Sequence, residues 1–142
     1  MAAEDQSAAA PATPKRVMGL YDRPFWSHVA AGKMCLQCCD ACRSFWYPPA
    51  AVCPACLASD WTWTPVSGRG SILSWVVYHR AYLPAYPPPY NVIAVRLEEG
   101  PLFMSNLEGG EPEGSWIGAP VRLTYTKMPD GAVLPRFVLD RP

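Results

Sequence analysis

Apolar and polar residues alternate along much of the second half of the chain, in short runs separated by turn residues. Alternation with a period of two, together with many β-branched and aromatic side chains, predicts β-strands. The predicted strands are Ser71–Tyr82, Tyr90–Leu97, Leu102–Leu107, Val121–Lys127 and Val133–Leu139. Five strands of this length, the first long enough to bend across two sheets, predict a small Greek-key barrel of the OB type.

The first half of the chain follows a different pattern. Residues 1–16 are rich in Ala and Pro and have no periodicity, which predicts a disordered tail. Apolar residues at helical spacing predict a short amphipathic helix from Pro24 to Met34. Met34, Cys35 and Leu36 are predicted to form the end of this apolar helical stretch.

Short strands are predicted at Phe45–Tyr47, which Pro48 ends, and at Trp61–Thr64. The expected fold is therefore mostly β, with a short N-terminal helix, a rubredoxin-like zinc ribbon and a five-stranded OB-type barrel. The corresponding division of the chain is a disordered tail at 1–16, the helix and ribbon at 17–60, and the barrel at 61–142.

The ribbon is predicted from four cysteines with the spacing C-x2-C-x10-C-x2-C: Cys39, Cys42, Cys53 and Cys56. Two C-x-x-C loops can supply four thiolates to one tetrahedral Zn²⁺, each about 2.3 Å from the metal. Pro54 lies inside the second loop and favours a tight turn there. This spacing predicts one structural zinc ion per chain.

A second set of ligands is compatible with the spacing. Cys35 and Cys38 also form a C-x-x-C pair and could replace Cys39 and Cys42 as partners of the second loop. Asp40 and Ala41 suit a solvent-facing turn better than Leu36 and Gln37, which favours the first set. A redox function for Cys35 and Cys38 is an alternative, although no thioredoxin-like βαβ pattern surrounds them.

The amino-acid composition limits which kinds of partner and which cellular compartment are expected. Lys and Arg together number 12 and Asp and Glu 12, so the net charge is zero. Nucleic-acid-binding proteins normally have a stripe of basic residues, and none is visible in this sequence. Metal-binding thiols indicate a reducing compartment, and no stretch reaches the roughly 20 apolar residues of a membrane span. The beginning of the sequence lacks the apolar core of a signal peptide. A cytoplasmic location is expected.

Aromatic residues are numerous, with six Trp and seven Tyr. So many cannot all be buried in a small core, which predicts an interface with a protein partner. One segment combines Tyr82, Tyr86 and Tyr90 with Pro84, Pro87, Pro88 and Pro89 between the first two predicted strands. This stiff loop is either a partner contact or a cover for the end of the barrel.

Three residues are candidates for contact with a phosphate-bearing ligand. His79 and Arg80 lie on the first predicted strand, and Arg69 lies between Gly68 and Gly70 in the turn before it. Guanidinium groups bind phosphate with two parallel hydrogen bonds, and flanking glycines allow close approach to the backbone. The alternative for these arginines is a solvated strand face or an ion pair with Glu98 or Glu99. His28 is expected at the surface or an interface.

The order of these motifs resembles the domain of unknown function 35 family. The resemblance covers about residues 20–140. It rests on the motifs Phe25-Trp26, the cysteine loops, Tyr47-Pro48-Pro49, Val66–Gly70, Val76–Arg80, Ser105-Asn106-Leu107 and Ile117-Gly118. It favours Cys39, Cys42, Cys53 and Cys56 as the ligands. Family loops often have Gly after the second Cys, where this chain has Arg43 and Leu57, so unusual backbone is expected there.

The resemblance implies a function. Members associate with thiolase-superfamily enzymes such as thiolases, hydroxymethylglutaryl-CoA synthases and lipid-transfer-type aldolases, or with enoyl-CoA hydratases in sterol side-chain degradation. It therefore implies a non-catalytic accessory subunit that stabilises a partner, as a hetero-oligomer such as a heterotetramer, and helps to hold acyl-CoA. The competing hypotheses are a single-stranded nucleic-acid-binding module and a stand-alone redox protein using Cys35 and Cys38.

Overall fold

The computed structural model describes residues 13–141. Within this range the chain forms one helix and nine strands: α1 (Asp22–Ala30), β1 (Cys35–Cys39), β2 (Phe45–Trp46), β3 (Trp61–Pro65), β4 (Arg69–Tyr78), β5 (Tyr90–Leu97), β6 (Leu102–Ser105), β7 (Leu107–Glu108), β8 (Pro120–Lys127) and β9 (Val133–Leu139). The mostly β character and the short N-terminal helix are confirmed. The helix in this range is too short to cross a membrane.

Helix α1 ends four residues earlier than the sequence pattern predicts. Gly32 has a φ of 70° and follows Ala31, the C-cap residue of the helix, and the amide of Lys33 donates to the carbonyl of His28 at 3.0 Å. This hydrogen bond and a glycine with positive φ define a Schellman motif, which stops a helix. The prediction that Met34, Cys35 and Leu36 belong to the helical stretch was therefore wrong, because the last two begin strand β1.

Strand β1 is the centre of a three-stranded sheet with the order β2-β1-β3. Every residue of β1 is buried, including Gln37, whose amide group donates to and accepts from the backbone of Ala50 at 2.8 Å each. Strand β3 pairs with β1 from Cys35↔Pro65 to Cys39↔Trp61. We call residues 35–65 the ribbon. The predicted domain boundary at residue 60 stays a prediction. Strand β3, which lies just after that boundary, hydrogen-bonds to β1 of the ribbon.

The remaining six strands form one sheet with the order β6-β5-β4-β8-β9-β7. Its hydrogen-bonded ladder is not closed, but its two end strands, β6 and β7, are consecutive segments of the chain that meet at Asn106. The third predicted strand, Leu102–Leu107, is thus broken into two. Its first part pairs with β5, and its second part pairs in parallel with β9. The side-chain amide of Asn91 stabilises the break by accepting from the amide of Leu107 at 2.7 Å.

Strand β4 is shorter than the predicted strand, which ran to Tyr82. It ends at Tyr78, opposite Tyr90, and has a bulge between Ile72 and Ser74. Residues 79–89 form the loop between β4 and β5 and contain four prolines. Proline has no amide hydrogen to donate to a ladder, so the β4–β5 pairing cannot extend through this segment.

One hydrophobic core joins the helix, the ribbon and the large sheet. It contains Phe25, Val29, Met34, Leu36, Ile72, Ile93, Val95, Leu97, Phe103, Leu107, Trp116, Val121 and Phe137. Three aromatic rings bridge the parts: Phe25 of α1 lies 5.2 Å from Tyr47, and Tyr47 lies 4.6 Å from Phe103 of β6, measured between ring centroids. The hydroxyl of Tyr125 also accepts from the amide of Met34 at 2.7 Å. The ribbon is therefore packed firmly against the large sheet.

Gly70 tests the closeness of the packing between β4 and β5. A Cβ atom at this position would lie 2.5 Å from the carbonyl oxygen of Arg96 and 2.7 Å from a methyl group of Val95. We expect Gly70→Ala to destabilise the protein by about 2 kcal/mol, because backbone must move to accommodate the methyl group. Urea denaturation measures the change.

Gly110→Ala is the matched control. An added Cβ there would meet only the end of the flexible Arg141 side chain, at 3.2 Å. We expect its free energy of unfolding to stay within about 0.5 kcal/mol of the original. Equal stability of the two variants would contradict the packing described for Gly70.

Candidate functional site

The four cysteines of the predicted zinc site lie together at one end of the ribbon. Their Sγ atoms are all within 4.8 Å of one another. The Sγ atoms of Cys39 and Cys56 are 3.5 Å apart, and those of Cys42 and Cys53 are 3.6 Å apart. Four sulfurs at about 2.3 Å from a tetrahedral zinc would be separated by about 3.8 Å. The arrangement therefore fits a metal such as zinc.

The two cysteine loops have the same backbone geometry. The amide of Arg43 donates to the carbonyl of Cys39 at 3.0 Å, and the amide of Leu57 donates to the carbonyl of Cys53 at 2.9 Å. Arg43 and Leu57 both have a φ of 64°, the left-handed conformation that glycine adopts most easily. The unusual backbone expected at these two positions is present. Each loop directs its two sulfurs towards those of the other.

The four cysteines differ in burial, and the pKa of one of them is lowered. Cys39 and Cys53 are buried, whereas Cys42 and Cys56 are exposed. Hydrogen bonding with Ser44 lowers the pKa of Cys42 to about 6, so this thiol loses its proton readily. The thiolate is the form that binds metal. A zinc ion with four protein sulfurs has no open position for a substrate, so a metal here would be structural.

Cys35 and Cys38 lie outside this set. They are three residues apart on β1, so their side chains point to opposite sides of the sheet and cannot form a disulfide with each other. Both are buried, and the Sγ of Cys38 contacts the carbonyl of Arg43 at 3.6 Å. Burial raises the pKa of Cys35, which is the opposite of what a reactive thiol requires. These two cysteines behave as small core residues.

Arg69 begins strand β4 and forms an ion pair. Its Nε atom lies 3.0 Å from Oε1 of Glu98, in the turn between β5 and β6. The hydrogen bond from Arg69 lowers the pKa of Glu98, so the carboxylate remains charged at neutral pH. The ion pair with Glu98 that the sequence left as an alternative is thus present, and it engages one of the five N–H donors of the guanidinium.

His79 and Arg80 are both exposed and follow the last residue of β4, in the loop to β5. Arg69 is at the other end of β4, about 30 Å away along a strand that rises about 3.3 Å per residue. The three predicted ligand contacts therefore do not form one site. Their contact with acyl-CoA stays a prediction.

A cluster of cations that sequence reasoning missed surrounds Arg69. A cleft of about 470 Å³ is lined by Arg69, Lys33, Arg122, Asp140 and neighbouring residues. Arg69 and Arg122 are directly opposite each other on β4 and β8. The only signal that could have revealed them is the register of these two strands, which local sequence does not contain.

The loop between β4 and β5 is an aromatic surface. We call residues 79–89 the tyrosine–proline loop. Tyr78 and Tyr90, which flank it, stack with ring centroids 5.1 Å apart, and Tyr82 and Tyr86 pack edge-on or tilted against this pair. Tyr82 is 64% exposed, so the loop does not hide its aromatic residues.

The predicted tail contributes a second cavity. Residues 1–12 of that tail lie outside the described residues. Residues 13–16 have no regular secondary structure, and the Arg16 guanidinium lies 4.1 Å from the centre of the Trp26 ring. They help to enclose a cavity of about 810 Å³ against α1 and the β8–β9 turn.

The fold and the four cysteines define a protein with a cysteine-rich ribbon and an OB-fold domain. Residues 63–126 match the family model of the ChsH2 C-terminal OB-fold domain. The chain is 30% identical, over 95 residues, to a DUF35 domain-containing scaffold protein of Pyrococcus furiosus, covering 62% of this chain and 68% of that protein. The chain belongs to the DUF35 family, which confirms the resemblance seen in the sequence.

Two further similarities concern larger assemblies. The chain is 35% identical over 117 residues to the probable enoyl-CoA hydratase alpha subunit of Thermomonospora curvata, covering 82% of this chain and 37% of that protein. A solved structure described as an Ltp2-ChsH2(DUF35) aldolase superposes with a TM-score of 0.81 at 29% identity, covering 89% of this chain and all of the other. The chain thus spans little more than a third of the length of the hydratase subunit.

Removal of one thiol tests the four-cysteine set. We expect Cys39→Ser to reduce bound zinc from about one ion per chain to near zero, and to lower the unfolding temperature by about 10 °C or more. Elemental analysis of the purified protein and a thermal melt measure the two effects. Cys38→Ser, the adjacent buried thiol, is the matched control and should retain its zinc. Loss of zinc from Cys38→Ser but not from Cys39→Ser would establish the other register.

Proposed function

We propose that the protein is a non-catalytic accessory subunit of an acyl-CoA-processing complex. The observation that carries this proposal is an exposed apolar surface on the outer side of β4, β5 and β6. The relatives support it, because one is named as a hydratase subunit and another as a scaffold protein. The similar solved structure is described as an aldolase of two components, Ltp2 and ChsH2(DUF35).

The register of the strands defines this apolar sheet face. Ile93 and Val95 point into the core, so the alternate residues of β5 and their cross-strand partners point outwards. The apolar residues on this outer face are Val76, Tyr78, Tyr90, Val92, Ala94, Leu102 and Met104, and the polar residues beside them are Ser71, Ser74 and Arg96. Met104 is 63% exposed and Val76 is 45% exposed.

An apolar patch of several neighbouring side chains on a soluble domain marks a site of interaction. The tyrosine–proline loop continues this patch at the end of β4. Tyrosine and methionine are enriched at protein interfaces, and the proline-rich backbone loses little entropy when it becomes ordered against a partner. The partner we propose for this face is a thiolase-superfamily subunit, either a thiolase or a lipid-transfer-type aldolase, in a hetero-oligomer such as a heterotetramer.

The positions of the two histidines support a non-catalytic role for this chain, with the catalytic residues on the partner. Within residues 13–141, His28 packs on Trp63 with ring centroids 5.7 Å apart, whereas His79 lies in the exposed loop after β4. Neither takes part in a hydrogen bond to a nucleophile among these residues. The acyl-CoA would then be bound jointly, with the reacting group on the partner.

The proposed role of zinc is structural. We propose that Cys39, Cys42, Cys53 and Cys56 hold one Zn²⁺, whose bonds would clamp the two cysteine loops beside Trp46 and Trp61. Thiolate ligands persist in a reducing environment, so we place the protein in the cytoplasm.

The alternative of a single-stranded nucleic-acid-binding module gains no support. Such proteins interleave stacking aromatics with a basic groove. Here the stacked Tyr78 and Tyr90 lie at one end of β4, and the cations around Arg69 lie at the other end.

Single charges on the apolar sheet face test the proposal. The chain is co-expressed with a thiolase-superfamily subunit, and the complex is isolated through a tag on that subunit. We expect Met104→Glu and Val76→Glu to weaken binding about tenfold or more, because a carboxylate would be buried without a partner. Titration calorimetry measures the affinity.

Val17→Glu is the matched control, since Val17 is 96% exposed and lies outside this face. Circular dichroism checks that the variants remain folded. Unchanged affinity of Met104→Glu, with loss of binding in Val52→Glu, would place the contact on the ribbon instead. Full partner activity without this chain, and no complex at micromolar concentration, would reject the accessory function itself.

A further inference from the structure

The cleft around Arg69 gathers positive charge from three separate parts of the chain. Lys33 precedes β1, Arg69 begins β4 and Arg122 lies on β8. Asp140 is the one carboxylate among the residues that line this cleft, and Glu98 and Glu99 lie beside it, bonded to the Arg69 side chain and the Ser67 amide. Elements that are distant in sequence thus bring three cations to one space of about 470 Å³.

The strand register places two of these cations side by side. Arg69 and Arg122 are directly opposite on antiparallel strands. Directly opposite side chains have Cβ atoms about 4.5–5.5 Å apart, and like charges in this position destabilise a sheet. An anion between the two guanidinium groups would convert the repulsion into two attractive contacts.

The neighbouring carboxylates leave donors available. Glu98 engages Nε of Arg69 at 3.0 Å, and Asp140 approaches Nε of Arg122 at 3.9 Å, which is too long for a hydrogen bond. The terminal nitrogens of both guanidinium groups make no hydrogen bond to any described residue, and neither does the Lys33 ammonium group. These are the atoms that bind phosphate in proteins.

The cleft also has a neutral donor and open space. The Tyr125 hydroxyl accepts from the amide of Met34 at 2.7 Å, and its own proton has no acceptor among residues 13–141. Burial raises the pKa of Tyr125, so this hydroxyl keeps its proton at neutral pH. Gly32, on the rim, has no atom within 4 Å of the position of an added Cβ. The cleft therefore offers donors from several directions around an accessible space.

We propose that this cleft binds a phosphate monoester, with Lys33, Arg69 and Arg122 as its charged ligands and Tyr125 as its neutral donor. A phosphate would take up the terminal guanidinium nitrogens and the Lys33 ammonium group, which the neighbouring carboxylates leave without a hydrogen bond. A carboxylate would satisfy fewer donors because it has two oxygens in place of three.

The proposed phosphate site adds a ligand-binding role to the proposed function. It rests on that function only for the identity of the molecule that carries the phosphate. A nucleotide cofactor that bears a phosphate monoester, such as the coenzyme A of an acyl-CoA, would place this group in the cleft while its acyl end reaches the partner. Free phosphate is the other source.

The test uses the chain alone and needs no partner or activity. Nitrogen-15 amide spectra of the full chain are followed during titration with inorganic phosphate, adenosine 3′,5′-bisphosphate, adenosine 5′-monophosphate and coenzyme A, at constant ionic strength. We expect saturable shifts centred on the amides of Gly32, Gly68 and Arg69. Tighter binding of the bisphosphate and of coenzyme A than of inorganic phosphate would identify a nucleotide cofactor as the source, and equal binding would identify free phosphate.

Substitutions of the cleft residues test whether the spectral shifts arise from binding in the cleft. We expect Arg122→Ala to weaken binding about tenfold and Lys33→Ala to have a similar effect, since each removes one charged hydrogen-bond donor. The Arg122 side chain is 60% exposed, so its loss should leave the fold intact. Arg23→Ala removes an exposed cation from α1, outside the cleft, and should bind as the original does.

Two results would overturn the proposal. The first is equal shifts with phosphate and with chloride, or equal binding by Arg122→Ala and Arg23→Ala, which would show general screening of surface charge. The second is tighter binding of a single-stranded oligonucleotide than of any of the monoesters, which would indicate recognition of a nucleic-acid backbone. Either result leaves the interaction with a thiolase-superfamily subunit to be decided by its own affinity measurement.

Discussion

The packing of three aromatic rings across the junction of helix, ribbon and sheet is the interaction on which the rest of the structure depends. Phe25 belongs to α1, Tyr47 follows β2, and Phe103 lies on β6, and each ring contacts the next within one hydrophobic core. A ribbon of about thirty residues is too small to bury a core of its own. By sharing the core of the large sheet it becomes a rigid part of the molecule, and the four cysteine sulfurs are then held at distances that fit a metal.

The same rigidity sets the positions of the two surfaces that we connect with function. Strand β4 contributes to both, because Arg69 at its first residue lies in the cation cleft and Tyr78 at its last residue lies on the apolar sheet face. The separation along β4 gives the surfaces different tasks. The apolar face suits a protein partner, whereas the cleft suits a small anion, and a ligand shared with that partner could link the two.

Much of the fold was predictable from local sequence. Strands β5 and β9 begin and end where the alternation predicts, because each is bounded by turn residues. The four-cysteine set was predictable from spacing, since each C-x-x-C loop brings its two sulfurs together within a single turn. The helix was predicted too long because apolar residues continue past Gly32, and the third strand was predicted unbroken because nothing local marks Asn106 as its break.

The sequence by itself determined most strands of the large sheet, which four cysteines lie together and which family the chain belongs to. These properties depend on residues that are close together along the chain. The tertiary structure decided that β3 pairs with the ribbon, that Cys35 and Cys38 are buried on opposite sides of β1, and that Arg122 faces Arg69. Such pairings join segments separated by tens of residues, and their register depends on how all the side chains fill one core.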